Sequence, residues 1–170
     1  MKTTIFAAFV VSATLSATLF LPIPALADCT DPAQAKVAWR RCSFDGRDLT
    51  GATLKDAALR DATFQRANLT KADLSNADGY RAKFVSATMP GVTLDGARLI
   101  EADFSRADLT GASLKDADLR NANFVSTILA KADFTGAKLA GADLRHADLS
   151  GATWVDGKTV CAEKSLGQCN

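Results

Sequence analysis

The chain has 170 residues, of which 48% are hydrophobic and 23% charged, and its 20 basic and 19 acidic residues give a formal net charge of +1. This near balance argues against a nucleic-acid-binding surface, which would be basic, and against a DNA mimic, which would be strongly acidic. There is one histidine, so a metal site built from several histidines is excluded as well.

Residues 1–27 have the pattern of a cleaved signal peptide. Lys2 is followed by an apolar run that ends at two prolines, and residues 25–27 form an A-x-A cleavage site directly before Asp28. We therefore expect a periplasmic or secreted protein with no stable membrane insertion after cleavage. An uncleaved membrane anchor is the alternative, and the A-x-A site argues against it. Without Lys2, 19 basic residues face 19 acidic ones, so the formal net charge is zero.

Residues 28–41 are predicted to form an N-terminal cap that contains a short helix. Asp31 can cap a helix with Pro32 at its first position, while Arg40 and Arg41 suit the negative end of the helix dipole. The apolar residues that would cover the next element are Ala33, Val37 and Trp39.

A period of five residues runs through 42–154. Every fifth residue from Phe44 to Trp154 is large and apolar except Gly79, and we refer to these positions as centres. The residue two before each centre is usually small. It is alanine except at Cys42, Arg47, Val92 and Thr127.

This period predicts a coil with corners. A spacing of two puts both inward residues on one side of an extended segment. Five residues, however, bring a straight strand to its other face and rotate an α-helix by about 140°. Both residues stay inside only if the chain turns a corner in every pentapeptide, so four corners close a coil in about 20 residues.

Two further features support a coil of this length. Phenylalanine occupies the centres 44, 64, 84, 104 and 124, always 20 apart, so coils stacked about 4.8 Å apart would form one ladder of rings. The position two after the centre is often Gly or Asn, which tolerate the positive φ of tight turns. These residues are Gly46, Gly51, Gly91, Gly96, Gly111, Gly136, Gly141, Gly151, Asn76 and Asn121.

The repeated residues resemble a known family. The runs Ala-Asp-Leu-Ser-Asn at 72–76, Ala-Asp-Leu-Thr-Gly at 107–111 and Ala-Asp-Leu-Arg-Asn at 117–121 are similar to the A-(D/N)-L-x-x consensus of pentapeptide-repeat proteins. The resemblance covers 42–154 and implies an all-β fold, a right-handed quadrilateral β-helix of about six coils. It leaves the activity open, because members of the family do different things.

Residues 155–170 are predicted to form a C-terminal cap closed by a disulfide, with Trp154 at the last inward position. The segment looks like the W-x-D-G…C…S-x-G-x-C tail of some exported bacterial repeat proteins, which supports a periplasmic location. A metal site at Asp156, Cys161 and Cys169 is a weaker alternative, since the tail has no C-x-x-C motif and no nearby histidine. We expect no metal and no cofactor.

The four cysteines are predicted to form two disulfides, as an even number in an exported protein suggests. About six stacked coils separate the N-terminal pair from the C-terminal pair by about 25–30 Å. The Cα atoms of a disulfide lie within about 7 Å of each other. We therefore predict the pairs Cys29–Cys42 and Cys161–Cys169. The alternative for Cys42 is that it only fills a small inward position.

The sequence shows no catalytic constellation, and we predict that the protein is not an enzyme. His146 lies at a corner and is interpreted as a solvated turn residue, and there is no P-loop and no G-x-S-x-G motif. The aspartates mostly occupy the position before the centre. Their repetition therefore indicates a property of the scaffold rather than a pair of catalytic carboxylates.

The repeat is least regular over residues 79–92. Gly79 and Met89 replace central residues and Val92 replaces a small one, while apolar residues appear on the outside. One interpretation is local repacking, in which Tyr80 or a neighbour fills the space left by Gly79. The functional interpretation is a patch that binds a partner protein. The residues predicted for that patch are Arg60, Tyr80, Val85, Ile100 and Arg120.

Three hypotheses for function follow. The first is a non-enzymatic exported scaffold or protein-interaction module with an unknown protein partner and no nucleic-acid partner. The second is a topoisomerase-protecting DNA mimic, like the quinolone-resistance members of the family, which export and zero net charge disfavour. An enzyme is the third.

Overall fold

The computed structural model describes residues 29–170, and the prediction of a signal peptide over 1–27 lies outside them. Each residue before a centre forms a single parallel β-bridge with the residue 20 further on, from Ala38↔Ala58 to Asp133↔Thr153. Within the described residues there is no helix, and these isolated bridges replace longer strands. The coil of 20 residues expected from the five-residue period is confirmed, and the bridges span about six coils.

The four corners of each coil are tight turns. At one corner the Ala52 amide donates to the Leu49 carbonyl at 3.0 Å, and Gly51 between them has a φ of 65°. This is the pattern of a type II turn. The expected positive φ of the Gly and Asn corner residues is confirmed, but Arg66 and Asp56 adopt it too, each with φ 57°. A left-handed conformation costs such residues about 1 kcal/mol or more, so the core and the hydrogen bonds between coils impose it.

The aspartate before the centre stabilises the same turn. Asp48 Oδ1 accepts hydrogen bonds from the Thr50 amide at 3.1 Å and from the Thr50 hydroxyl at 2.6 Å. The pairs Asp108–Thr110 and Asp148–Ser150 repeat this arrangement. These carboxylates are therefore part of the scaffold, and the serine or threonine that often follows the centre is their donor.

The inside of the coil is a continuous apolar core with four faces. Two of these faces meet at the corner that carries Tyr80. The face that we call the phenylalanine face carries the centres Phe44, Phe64, Phe84, Phe104, Phe124 and Leu144. The face that precedes it in each coil, which we call the Gly79 face, carries Trp39, Leu59, Gly79, Leu99, Leu119 and Leu139.

The expected ladder of rings is confirmed on the phenylalanine face. The centroids of Phe64 and Phe84 are 5.1 Å apart with a 5° angle between the planes, and those of Phe84 and Phe104 are 4.9 Å apart with the same angle. Phe134 lies on another face and meets Phe124 edge-on, at 85°. All of these rings are fully buried.

The predicted helix in the N-terminal cap is wrong, because residues 31–41 contain turns and a β-bridge. Trp39 donates its amide to the Ala58 carbonyl at 2.9 Å, and its ring lies 4.0 Å from that of Phe44. Val37 and Trp39 are both buried and repeat the inward pair five residues before Cys42 and Phe44. Burial of these two side chains outweighs the local capping signal, so the coil begins before residue 42.

The C-terminal tail folds back over the last coil. Thr153 pairs with Val160 and Asp148 with Leu166 in antiparallel bridges, and the Gly151 amide donates to the Cys161 carbonyl at 2.9 Å. The tail therefore supplies the hydrogen-bond partners that a next coil would have supplied on two of the four faces.

Candidate functional site at the Tyr80 corner

Glycine occupies position 79 because a larger side chain would not fit there, and not because the backbone needs a left-handed conformation. Its φ is outside the left-handed region, and a Cβ built on it would lie 2.9 Å from Leu99 Cδ2. Leu99, which is 1% exposed, therefore fills the space that a larger residue at 79 would need. The repacking interpretation is right in that a neighbour fills this space, and Tyr80 remains outside.

Tyr80 lies between two guanidinium groups on the outer surface. The Cζ atoms of Arg60 and Arg98 are 5.1 Å and 5.3 Å from the centre of its ring. These are cation–π distances. The Tyr80 hydroxyl also contacts Glu101 Oε1 at 3.3 Å. The ring is half-buried and held by neighbours on the coils before and after it.

The charges around Tyr80 are paired with one another. Asp78 contacts Arg60 at 3.7 Å and Arg98 at 3.1 Å. Arg81 contacts Asp61 at 3.7 Å and Glu101 at 3.9 Å. These side chains are 35–59% exposed, so solvent screens each pair and none adds more than about 1 kcal/mol to stability. The network fixes positions more than it stabilises the fold.

The structure unites only part of the predicted patch. Ile100 is half-buried and follows Tyr80 one coil later, but Arg120 turns to Asp118, with Nε–Oδ1 2.8 Å and Nη2–Oδ2 2.7 Å. This hydrogen bond lowers the pKa of Asp118 and raises that of Arg120. Val85 lies half-buried at the next corner, away from the ring network.

Three residues of this surface were missed from the sequence, namely Arg81, Arg98 and Glu101. Arg98 is the β-bridge partner of Asp78. Because residues before the centre pair with those 20 positions further on, the sequence spacing alone could have placed Arg98 next to Asp78. We use the term Tyr80 column for Arg60, Tyr80 and Ile100 with Arg98 beside them.

A groove of about 490 Å³ lies at the N-terminal end of this column, lined by Arg40, Arg41, Arg60 and Asp61. Arg40 and Arg41 are exposed, and among residues 29–170 neither has an ion-pair partner. The sequence placed these two arginines at the end of a helix. In the structure Arg41 is instead the left-handed residue of a corner, with φ 60°.

The remaining polar residues singled out from the sequence belong to turns. His146 is an exposed corner residue with φ 59°. Asp156 accepts hydrogen bonds from the Thr159 hydroxyl and from the amides of Thr159 and Lys158, which lower its pKa to about 2. In the described part of the chain no group of three or more His, Cys, Asp or Glu could hold a metal ion, and no helix could cross a membrane.

The cysteines meet in the two pairs expected from the length of the coil. The Cα atoms of Cys29 and Cys42 are 5.4 Å apart, and those of Cys161 and Cys169 are 4.8 Å apart, with the sulfur atoms at bonding distance in both pairs. Cys42 also fills a small inward position and is 1% exposed. The Cys29–Cys42 pair ties the N-terminal segment to the first coil, whereas the Cys161–Cys169 pair closes a loop within the C-terminal tail.

The repeated part of the chain is similar to known proteins. The family model described as pentapeptide repeats matches residues 42–78, 57–96, 80–116, 89–125 and 117–153. No curated protein matches the chain.

Three solved structures illustrate the likeness. HetL from Nostoc sp. strain PCC 7120, involved in heterocyst differentiation regulation, is 24% identical with a TM-score of 0.30, over 74% of this chain and 92% of HetL. QnrB1, a plasmid-mediated fluoroquinolone resistance protein, is 23% identical with a TM-score of 0.43, over 70% of this chain and 66% of QnrB1. Rfr23 from Cyanothece 51142 is 22% identical with a TM-score of 0.40, over 69% of this chain and 90% of Rfr23.

Proposed function

Because the chain belongs to the pentapeptide repeat family, whose proteins are generally structural or interaction modules rather than enzymes, we propose that it is an exported interaction module that contacts a partner protein through the Tyr80 column. The coil serves as a rigid support, and the chemistry of recognition lies in its outer side chains. Nucleic acid is not its partner, and it works without a cofactor.

The observation that carries this proposal is the position of the Tyr80 ring. Among the described residues it is the one aromatic side chain that lies outside the core, and the guanidiniums of Arg60 and Arg98 both lie at cation–π distance from it. Tyrosine and arginine are enriched among the residues that dominate protein–protein binding. A ring already held in place loses little conformational entropy when a partner covers it.

The surroundings of the ring favour a protein partner. Ile100 adds an apolar contact next to it, and the three arginines around Tyr80 are balanced by Asp61, Asp78 and Glu101. A surface of mixed charge around an apolar centre is the usual composition of a protein interface. A DNA mimic would instead require a predominantly acidic face, and this corner lacks one.

Export is proposed from the N-terminal segment and from the cysteines. Disulfides persist in oxidising compartments, and both cysteine pairs lie within bonding distance. The mass of the protein recovered from a periplasmic fraction tests this part. Cleavage after Ala27 and the absence of free thiols support export, whereas a full-length reduced chain in the cytoplasm contradicts it.

The partner contact is tested by capturing proteins from periplasmic extract with the protein produced from its full sequence. Arg60→Ala is compared with Arg145→Ala, which removes an arginine at the equivalent turn position that pairs with Asp143 at 2.6 Å. The proposal expects one captured protein to decrease with Arg60→Ala and to be unchanged with Arg145→Ala. Equal capture by both folded variants would contradict it.

A further inference from the structure

The groove at the N-terminal end of the Tyr80 column has an unbalanced positive charge. Arg60 forms an ion pair with Asp78, and Asp61 forms one with Arg81. Arg40 and Arg41, in contrast, have no ion-pair partner among residues 29–170. Two exposed guanidiniums beside a third attract anions, and their planar geometry suits carboxylates and phosphates.

The groove and the column form one line. Arg40, Arg60, Tyr80 and Ile100 occupy the same position of four successive coils, which are about 4.8 Å apart. The line is therefore about 14 Å long, with cations at one end and an aromatic and an aliphatic side chain at the other. An extended peptide rises about 3.3 Å per residue, so four to five residues cover it.

We propose that this line binds an extended acidic segment of a partner protein. The carboxylates of the segment pair with Arg40, Arg41 and Arg60, and an apolar side chain that follows them packs against Tyr80 and Ile100. This inference rests on the proposed function, because it describes the chemistry of the partner at the same surface.

The charges further along the line favour a short acidic peptide over a nucleic acid. Asp61 lies in the groove itself, and Asp78 and Glu101 lie beside Tyr80, so the positive charge is confined to the groove. A nucleic-acid strand carries a phosphate at every nucleotide and would bring several of them against these acids. A peptide places its charges only where the arginines are.

The test is fluorescence anisotropy with a labelled peptide in which three glutamates precede a leucine and a phenylalanine. Arg41→Gln is compared with Arg106→Gln, since both arginines are exposed corner residues, with φ 60° and 59°. We expect Arg41→Gln to weaken binding about five- to tenfold and Arg106→Gln to leave it unchanged. Added salt should weaken binding to the original protein, and a peptide with lysines in place of the glutamates should not bind.

Three kinds of result would overturn the inference. The first is equal affinity of the acidic peptide for both variants, or no binding to the original protein. The second is tighter binding of a labelled single-stranded oligonucleotide that Arg41→Gln abolishes, which would assign the groove to nucleic acid. The third is a partner captured from extract whose binding needs Arg60 but is unaffected by Arg41→Gln. That result would support the proposed function and reject only the inference that the partner binds through an acidic segment. Peptide binding that depends on Arg41, with no captured partner that depends on Arg60, would reject the proposed function and leave the groove only as a site for acidic peptides.

Discussion

The inward and the outward residues of the same corner differ in how strictly they repeat from coil to coil. On the inside, the phenylalanine face repeats one residue through five coils, and the rings stack almost parallel. On the outside, the adjacent line changes from arginine to tyrosine to isoleucine over the same coils. On this face each phenylalanine meets another phenylalanine one coil away, so packing selects the same solution each time. The outer residues are free of that requirement, and their departures from the repeat are therefore informative about function.

The largest effect is expected inside, for Phe84→Ala. Phe84 is fully buried between Phe64 and Phe104, so the change removes a ring from the middle of the stack and leaves a cavity. We expect the free energy of unfolding to fall by about 3–5 kcal/mol, measured by urea denaturation. Phe84→Leu should cost clearly less because it keeps most of the volume. A loss below about 1 kcal/mol for Phe84→Ala would show that the stack is not a packed core.

The two cysteine pairs, which we predict to be disulfides, lie at the ends of the stack. Replacing both Cys161 and Cys169 by alanine should lower the free energy of unfolding by about 2–3 kcal/mol, since the bond closes a short loop. Thermal denaturation with and without reductant measures this, and the reductant should destabilise the original protein more than the variant, which keeps only the Cys29–Cys42 pair. Non-reducing peptide mapping that joined Cys29 to Cys161 would reject the pairing altogether.

Gly79→Ala should have a smaller effect. The new Cβ crowds Leu99 Cδ2, and because Leu99 is buried it cannot move away freely. We expect a loss of about 1 kcal/mol in the free energy of unfolding. The double change Gly79→Ala with Leu99→Val should cost less than the sum of the two single changes, because the smaller valine relieves the crowding. Strict additivity would mean that Leu99 does not fill this space.

The smallest effect concerns pH. The hydroxyl of Thr50 lowers the pKa of Asp48, and hydrogen bonds from the Thr159 hydroxyl and from the amides of Thr159 and Lys158 lower that of Asp156 to about 2 from 3.8. A carboxyl with a lowered pKa in the folded state adds stability above its unfolded pKa, and this is lost as pH falls through its folded pKa. Stability should therefore be level above about pH 5 and decline toward pH 2. Asp156→Asn should flatten part of this decline, and unchanged urea midpoints over that range would contradict the account.

The sequence predicted most of the fold, because a fixed period leaves a single arrangement that keeps every centre inside. It failed for residues 31–41, where Asp31 and Pro32 gave a local helix signal that Val37 and Trp39 overrode by continuing the inward pair. The site was predicted less well. Tyr80 and Ile100 stand out by composition, but the turn of Arg120 toward Asp118 and the approach of Arg98 depend on side-chain contacts between coils, which no short pattern encodes.

Binding of a partner protein by the Tyr80 column can be measured with the matched variants Ile100→Ala and Val125→Ala. Both residues are half-buried and directly follow a centre, one at the column and the other one corner away. Once both variants show the same thermal stability, the dissociation constant of the captured partner is measured for each. We expect at least about a tenfold increase for Ile100→Ala and no change for Val125→Ala. Equal dissociation constants for the two variants would contradict it.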